Sequence, residues 1–310
     1  MEVNTGEEMI KLLITGCEGL LGQNLLMYAN WDHFDITGID LPPKTNQTQY
    51  DSFHYHSLDL TDHERLYKQV VEIHPDVILN AAAMTAVDRC ETEPETCYRI
   101  NRDVVVTLAE AAQSIHARLI QISTDYVFDG TEGPYEEGAP VHPLSVYGTS
   151  KLGAEEAVLA MPEGLGTIVR TVVLYGHGKN LTSSFVTWLI ESLRKGEPVR
   201  IVDDQVSNVT LASEMATILL EMAEKGCSGV YHVSSRDRAS RYQFALDIAE
   251  VYGFDKDLIS PVSTAEFKQP APRPMNGGLS VDKVEAFLGR KVSTIHETIL
   301  HYRDEAVHWE

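Results

Sequence analysis

Tyr147 and Lys151 stand four residues apart, downstream of Ser123-Thr124-Asp125. Together these residue types can move a proton to or from a carbonyl oxygen. A free phenol, with a pKa near 10, is a poor acid–base group in neutral water. An ammonium held close favours the phenolate and lowers that value. Tyr147 could then hand a proton to an oxygen while a hydride reaches the attached carbon. Thr124 would bond the same oxygen and Lys151 would hold the hydride carrier. The competing reading is a surface Tyr and Lys beside a strand-end threonine, because Y-x-x-x-K arises easily by chance. The chain holds two further copies, Tyr175/Lys179 and Tyr252/Lys256. The first lies in Tyr175-Gly-His-Gly-Lys179, predicted to be a loop without fixed geometry. The second precedes Gly253, a residue type that ends helices. Only Tyr147 opens a clean helical stretch, where residues i and i+4 share a face.

A hydride needs a carrier, and the start of the chain offers a place for one. Gly16-Cys17-Glu18-Gly19-Leu20-Leu21-Gly22 follows an apolar run at 11–15 and opens a stretch of helical periodicity. Gly16, Gly19 and Gly22 permit a tight turn and close backbone approach, and the amides of the following helix start suit a diphosphate. A glycine triplet alone is weak evidence; the strand before it and the helix after it supply the context a dinucleotide loop requires. Asp40 closes the second strand, where an acid can accept hydrogen bonds from a ribose and repel a 2′-phosphate. A plain turn residue before Leu41-Pro42 is the alternative there. Asp59 and Leu60 end the next strand within reach of an adenine. Asn80-Ala81-Ala82-Ala83 ends the fourth, where small side chains let a carrier lie across the sheet. The expected carrier is NADH or NADPH. Lys44 is the only cation between Asp40 and His54.

The elements that must position these groups alternate through the first half. Strand-like runs fall at 11–15, 35–40, 53–58, 76–80, 118–123 and 167–171, with helices at 20–30, 62–73, 95–116 and 147–160. This alternation predicts an α/β fold, a Rossmann-type doubly wound parallel sheet. After Thr171 the pattern is broken by Gly176, Gly178 and Pro198, and later by Pro261, Pro270, Pro272 and Pro274. A smaller C-terminal substrate lobe of loops and short helices is expected there, although 229–233 again reads as a buried strand. The expected division is a cofactor domain at 9–171, with segments near 203–233 returning to it, and a substrate lobe at 172–202 and 234–310.

Charge and composition narrow the classes. A chain of 310 residues suits one large α/β domain or a domain with a smaller lobe. Its 43% hydrophobic and 23% charged residues are an ordinary globular mix. No run approaches the roughly 18 uninterrupted apolar residues of a membrane helix, and the opening MEVNTGEEMI lacks a signal core, so the cytoplasm is the expected compartment. A net charge of −21 repels phosphate backbones, and nucleic acid is not an expected partner. Cys17, Cys90, Cys97 and Cys227 form no C-x-x-C pair, fit no zinc spacing and read as structural thiols. His54 and His56 could share a strand face, but two ligands are too few for zinc. No metal is expected.

Three longer stretches narrow the match further: Asn80-Ala-Ala-Ala-Met-Thr-Ala-Val-Asp88, Ser123-Thr-Asp-Tyr-Val-Phe-Asp-Gly130 and Tyr147-Gly-Thr-Ser-Lys151. They resemble the dTDP-4-dehydrorhamnose reductase family of the extended short-chain dehydrogenase/reductase superfamily. So do Arg170-Thr171, Asp204-Gln205, Gly229-Val-Tyr-His232 and Arg273-Pro-Met-Asn276. The resemblance runs from about residue 11 to 289, and the Ser123–Phe128 stretch is its most specific marker. It implies NAD(P)H-dependent reduction of the C4 ketone of a dTDP-linked 6-deoxy-4-keto-hexose, giving dTDP-L-rhamnose. It also implies cofactor contacts from Gly19, Leu20, Leu21, Asp40, Asp59, Leu60, Ala81, Ala83, Thr85, Tyr147 and Lys151, with Thr124 and Asp125 facing the sugar.

The chain departs from that pattern at three places. Val173 stands where the family carries a substrate-facing tryptophan. Val206-Ser-Asn-Val-Thr210 replaces a G-x-P-T stretch. Asn24 stands where some dimeric members carry a metal-linked glutamate. A homodimer is compatible with the sequence, but the metal bridge is not expected. The remaining readings are a reductase of another deoxysugar, a related nucleotide-sugar epimerase, and a non-catalytic NADP-binding regulatory subunit like that of methionine adenosyltransferase. For the substrate diphosphate the expected cation is Arg273, whose flanking prolines hold an extended loop. Pairing of Arg273 with a surface carboxylate is the alternative.

Overall fold

The computed structural model describes residues 9–42, 52–267 and 269–309. The first half runs β1 (Ile10–Thr15), α1 (Leu20–Tyr28), β2 (Phe34–Asp40), β3 (His54–Ser57), α2 (His63–Ile73), β4 (Val77–Asn80), α3 (Val87–Thr92) and α4 (Pro94–Tyr98). A π-turn at Arg99–Asp103 leads into α5 (Val104–Ile115), then β5 (Arg118–Thr124), α6 (Val146–Leu159) and β6 (Gly166–Thr171). The second half runs β7 (Leu174–Tyr175), α7 (Phe185–Arg194), β8 (Val199–Val202), β9 (Val206–Ser207), β10 (Thr210–Leu211), α8 (Ala212–Lys225) and β11 (Gly229–His232). It ends with β12 (Ala239–Ser240), α9 (Arg241–Tyr252), β13 (Ile259–Val262), α10 (Thr264–Phe267), α11 (Asp282–Leu288) and α12 (Ile295–Asp304).

Seven strands make one sheet in the order β11-β6-β5-β4-β1-β2-β3, every neighbouring pair parallel. Buried on both faces, β1 is apolar without alternation from Leu12 to Ile14. Leu12 and Ile14 face the core under α1 and α8, while Leu13 faces the core under α2, α5 and α6. Chain order reverses between β1 and β4, so a crevice opens above their carboxyl ends, where doubly wound sheets bind ligands. A third core joins α7, α9 and α12 to the two-stranded β8–β13 pair.

The expected helix at 95–116 is present, interrupted by the π-turn. The second half differs more. α8 and α9 are full helices, and α8 packs against α1 in the central core. Gly253 forms the left-handed cap of α9 and Pro261 lies within β13, while Pro270, Pro272 and Pro274 fall in an irregular segment, as expected. Among the described residues no helix is long and apolar enough to cross a membrane.

Candidate active site

The turn after β1 is as tight as its glycines allow. Gly16 has φ +75°, and a Cβ there would sit 2.6 Å from the Ala82 nitrogen. A Cβ on Gly22 would collide with the Gly16 carbonyl oxygen. The amide of Gly19 donates to the Gly16 carbonyl at 3.0 Å. Gly19 caps α1 without a side-chain hydrogen bond, and the first turn of α1 holds no acid. That bare helix start is fit for an anionic diphosphate. Asp40 turns back on the loop: one carboxylate oxygen accepts from the Glu18 amide at 2.9 Å and the other from the Leu41 amide at 2.7 Å. Lys44 lies outside the described residues.

Across the crevice, Ala81, Ala82 and Ala83 are half-exposed and Thr85 is exposed. Asn80 sits below them in a buried chain, accepting from Thr15 Oγ1 at 2.6 Å and donating to Gln121 Oε1 at 2.7 Å. Asp59 is exposed, and its carboxylate accepts from the amide and hydroxyl of Thr61, bonds that hold it below the usual carboxylate range. Leu60 packs against the second core.

Thr124 ends β5, and Tyr147 lies in the first turn of α6, whose cap Ser145 accepts from the Gly148 amide at 3.1 Å. The Tyr147 ring packs edge-on against Tyr126, centroids 5.6 Å apart. Burial pushes the Tyr147 hydroxyl above its ordinary pKa; a hydrogen bond with Thr124 opposes the shift and the charge of Asp125 adds to it. This corrects the expectation that Lys151 lowers it. In this geometry Lys151 Nζ donates instead to the Ile122 carbonyl at 2.6 Å, and desolvation of the phenol sets the direction. Burial pulls Lys151 down to about 8, opposed by the negative charge of Glu155. Burial pushes Asp125 up to about 6, opposed by Arg241 and by a hydrogen bond from Thr124.

The shift of Lys151 fixes a sign. Between about 8 and 10.5 the unfolded chain binds the proton that the folded chain has lost, so this group's contribution to stability rises with pH. In urea unfolding, the stability difference between the native chain and Lys151→Met is expected to move in favour of the native chain across that window. A flat difference would show that the ammonium is not desolvated.

Two groups that sequence reasoning passed over hold the site together. Asn101, buried in the π-turn, accepts from the Met84 amide at 2.8 Å. It also donates to the Met84 carbonyl at 3.1 Å and to Ser150 Oγ at 3.1 Å. It therefore joins the loop after β4 to the helix carrying Tyr147 and Lys151. An asparagine within an apolar helical stretch was its signal, since this residue type competes with helix backbone. Glu155, one turn beyond Lys151, accepts from Arg170 at 2.6 and 2.9 Å and from Ser123 Oγ at 2.5 Å, all buried.

Residues 10–307 match the family model described as the RmlD substrate binding domain. A dTDP-4-dehydrorhamnose reductase of Mycobacterium tuberculosis is 35% identical over 280 residues, covering 87% of this chain and 84% of that protein. Methionine adenosyltransferase 2 subunit beta of Xenopus laevis is 30% identical over 281 residues, covering 89% and 81%. The crystal structure of dTDP-4-dehydrorhamnose reductase from Bacillus anthracis in complex with NADP superposes with a TM-score of 0.85 at 28% identity, covering 96% of this chain and all of that one. The chain belongs to the dTDP-4-dehydrorhamnose reductase family.

Two of the departures from that family's pattern have a distinct local setting. Val173, in the place of the tryptophan, has φ +45°, a strained conformation for a β-branched residue. Asn24, in the place of the metal-linked glutamate, donates to the carbonyls of Leu20 and His177 at 2.8 and 2.9 Å. With Gln23, which exchanges bonds with the backbone of Lys179, it fastens α1 to the 176–179 loop. That loop therefore has a fixed geometry, contrary to expectation. Tyr175 is buried in the third core, leaving the Tyr175/Lys179 spacing without a catalytic arrangement. Arg273 donates to Asp88 at 2.6 Å and to the Ala271 carbonyl at 2.7 Å, so the alternative of a carboxylate partner is realised. His54 lies 3.7 Å from Asp35, in a cleft at the amino ends of the strands, the opposite end of the sheet from Thr124.

Proposed function

We propose that this chain reduces the C4 ketone of a nucleotide-linked 6-deoxy-4-keto-hexose with NADH or NADPH, taking dTDP-4-dehydrorhamnose to dTDP-L-rhamnose in the cytoplasm. The observation carrying the reading is the convergence of Thr124, Tyr147 and Lys151 at the carboxyl end of β5, across the crevice from a bare helix start. The segment at 9–171, with parts of 203–233, serves the cofactor, and 172–202 with 234–310 serve the sugar nucleotide. The bound nicotinamide cofactor supplies the hydride. Gly16, Gly19, Leu20, Leu21 and Gly22 hold its diphosphate; Asp40 takes the adenosine ribose; Asp59, Leu60, Ala81, Ala82, Ala83 and Thr85 line its path. Lys151 holds the nicotinamide ribose. Thr124 steadies the ketone oxygen and Tyr147 donates its proton to it, while Asp125 faces the sugar. Arg273 directs its remaining N–H donors to the substrate.

The test is oxidation of NADH and NADPH against a panel of nucleotide-linked 4-keto-6-deoxysugars. Because Asp40 disfavours a 2′-phosphate, NADH is expected to bind at least as well as NADPH. A clearly lower Kd for NADPH would overturn that choice. A regulatory-subunit reading has one finding in its favour, the similarity to methionine adenosyltransferase 2 subunit beta. Absence of turnover on every sugar, together with co-purification of a synthetase, would decide for it.

A further inference from the structure

The segment 269–277 passes close to the ketone site. A Cβ on Gly277 would lie 3.6 Å from Asp125 Oδ2. Backbone bonds fix the far end of the segment. The Met275 carbonyl accepts from the Val206 amide at 2.8 Å, the Asn276 amide donates to the Gly130 carbonyl at 2.7 Å, and the Gly277 amide donates to the Val206 carbonyl at 3.0 Å. The near end has few means of attachment, since Pro270, Pro272 and Pro274 carry no amide hydrogen. Among the described residues, the hydrogen bonds that tie 270–274 to the rest of the chain all end on Asp88. Its Oδ1 accepts from the Ala271 amide at 3.0 Å and from Arg273 Nη1 at 2.6 Å.

The pair is asymmetric. The Arg273 side chain is 11% exposed and that of Asp88 44%, so the guanidinium lies inside and the carboxylate at the rim. Both hydrogens of Nη1 are engaged, one by Asp88 and the other by the Ala271 carbonyl at 2.7 Å. The Nε–Nη2 edge, the fork that fits an oxyanion in a bidentate way, takes no part in either bond. The charges of Asp88, Arg241 and Arg273 all reach Tyr126, whose ring packs against Tyr147. The charge of Arg273 also reaches Arg241, so the carboxylate lets two like charges stand near one site. The helix carrying Asp88, α3, is anchored to the catalytic helix in turn. Glu91 accepts from the Val146 amide at 2.8 Å, and Cys90 packs beside Tyr147.

We infer that Asp88 is a positioning residue, which holds the 270–274 segment down and presents the Nε–Nη2 edge of Arg273 to a phosphate oxygen of the sugar nucleotide. The inference rests on the reductase reading, in which Arg273 meets the substrate. Asp88 itself touches neither substrate nor cofactor. An unrestrained arginine gives up rotamer freedom when it binds an anion, and Asp88 removes that cost beforehand. Because α3 also carries Glu91, one short helix sets both the arginine and the start of α6. The anionic part of the substrate and the proton donor Tyr147 are thereby placed from a common element.

The test is a double-mutant cycle, read by calorimetric titration of dTDP into the full chain saturated with NADH. Asp88→Asn keeps an oxygen for the Ala271 amide and removes the charge. It is expected to weaken dTDP roughly tenfold, and Arg273→Gln roughly ten- to a hundredfold. With Arg273→Gln already in place, Asp88→Asn should add less than about twofold, because there is no guanidinium left to aim. KM for the keto sugar nucleotide should follow the same pattern, with kcat falling far less. A role confined to folding costs the same factor in both backgrounds, so an additive cycle would overturn the inference. Native-like dTDP affinity in either single variant, or no dTDP binding by the native chain, would overturn it too. If the cycle is non-additive as described but the native chain reduces no keto sugar nucleotide, the positioning role stands and the reductase reading falls. If the native chain reduces the sugar and the cycle is additive, the reductase reading stands and the inference falls.

Discussion

Tyr147→Phe is expected to lower turnover on the keto sugar nucleotide by on the order of a hundredfold or more while leaving the affinity for NADH essentially unchanged. The phenylalanine ring keeps the edge-on packing against Tyr126, so the loss isolates the hydroxyl. Stopped-flow measurement of NADH oxidation, beside a binding titration, separates the two quantities. Tyr175→Phe and Tyr252→Phe are the matched controls and should be mild, because one ring lies in the third core and the other ends α9. Near-normal turnover in the Tyr147 variant would remove the proton-donor assignment.

The second large effect is on stability. Glu155→Ala leaves the Arg170 guanidinium buried with its ion pair gone; the two side chains are 1% and 5% exposed. Breaking a buried pair from one side costs about 3–5 kcal/mol, a large part of the stability of an ordinary domain. Urea unfolding should show that loss for Glu155→Ala. The paired change Glu155→Met with Arg170→Met should lose much less, because no charge is then stranded. A loss under about 1 kcal/mol in the single variant would show that water or a rearranged neighbour reaches Arg170.

The sheet was legible because its central strands are apolar on both faces and punctuated by glycine, proline and aspartate. β1, β4 and β6 could be located within a residue or so. The glycine loop was legible for a related reason: its glycines answer a steric demand that runs between near neighbours. The helices of the second half were not placed, because Gly176, Gly178 and Pro198 punctuate without saying what lies between them, while the strand expected at 229–233 is present as β11. What stayed hidden depends on pairs far apart in sequence. Arg273 meets Asp88 only once the fold brings them together. The direction of the Tyr147 shift depends on burial against an ammonium whose aim, toward the Ile122 carbonyl, cannot be read from spacing.

The last strand to join the central sheet is β11, which pairs with β6 after a long excursion through α7 and α8. During synthesis, the ribosome therefore delivers β6 with its outer edge unpaired, and Ile168 and Val169 wait for Gly229–His232 to emerge. A bare apolar edge is a template for pairing with another chain. The nascent protein is thus most vulnerable to aggregation between completion of β6 and arrival of β11, and a truncation ending near residue 171 would make that interval permanent.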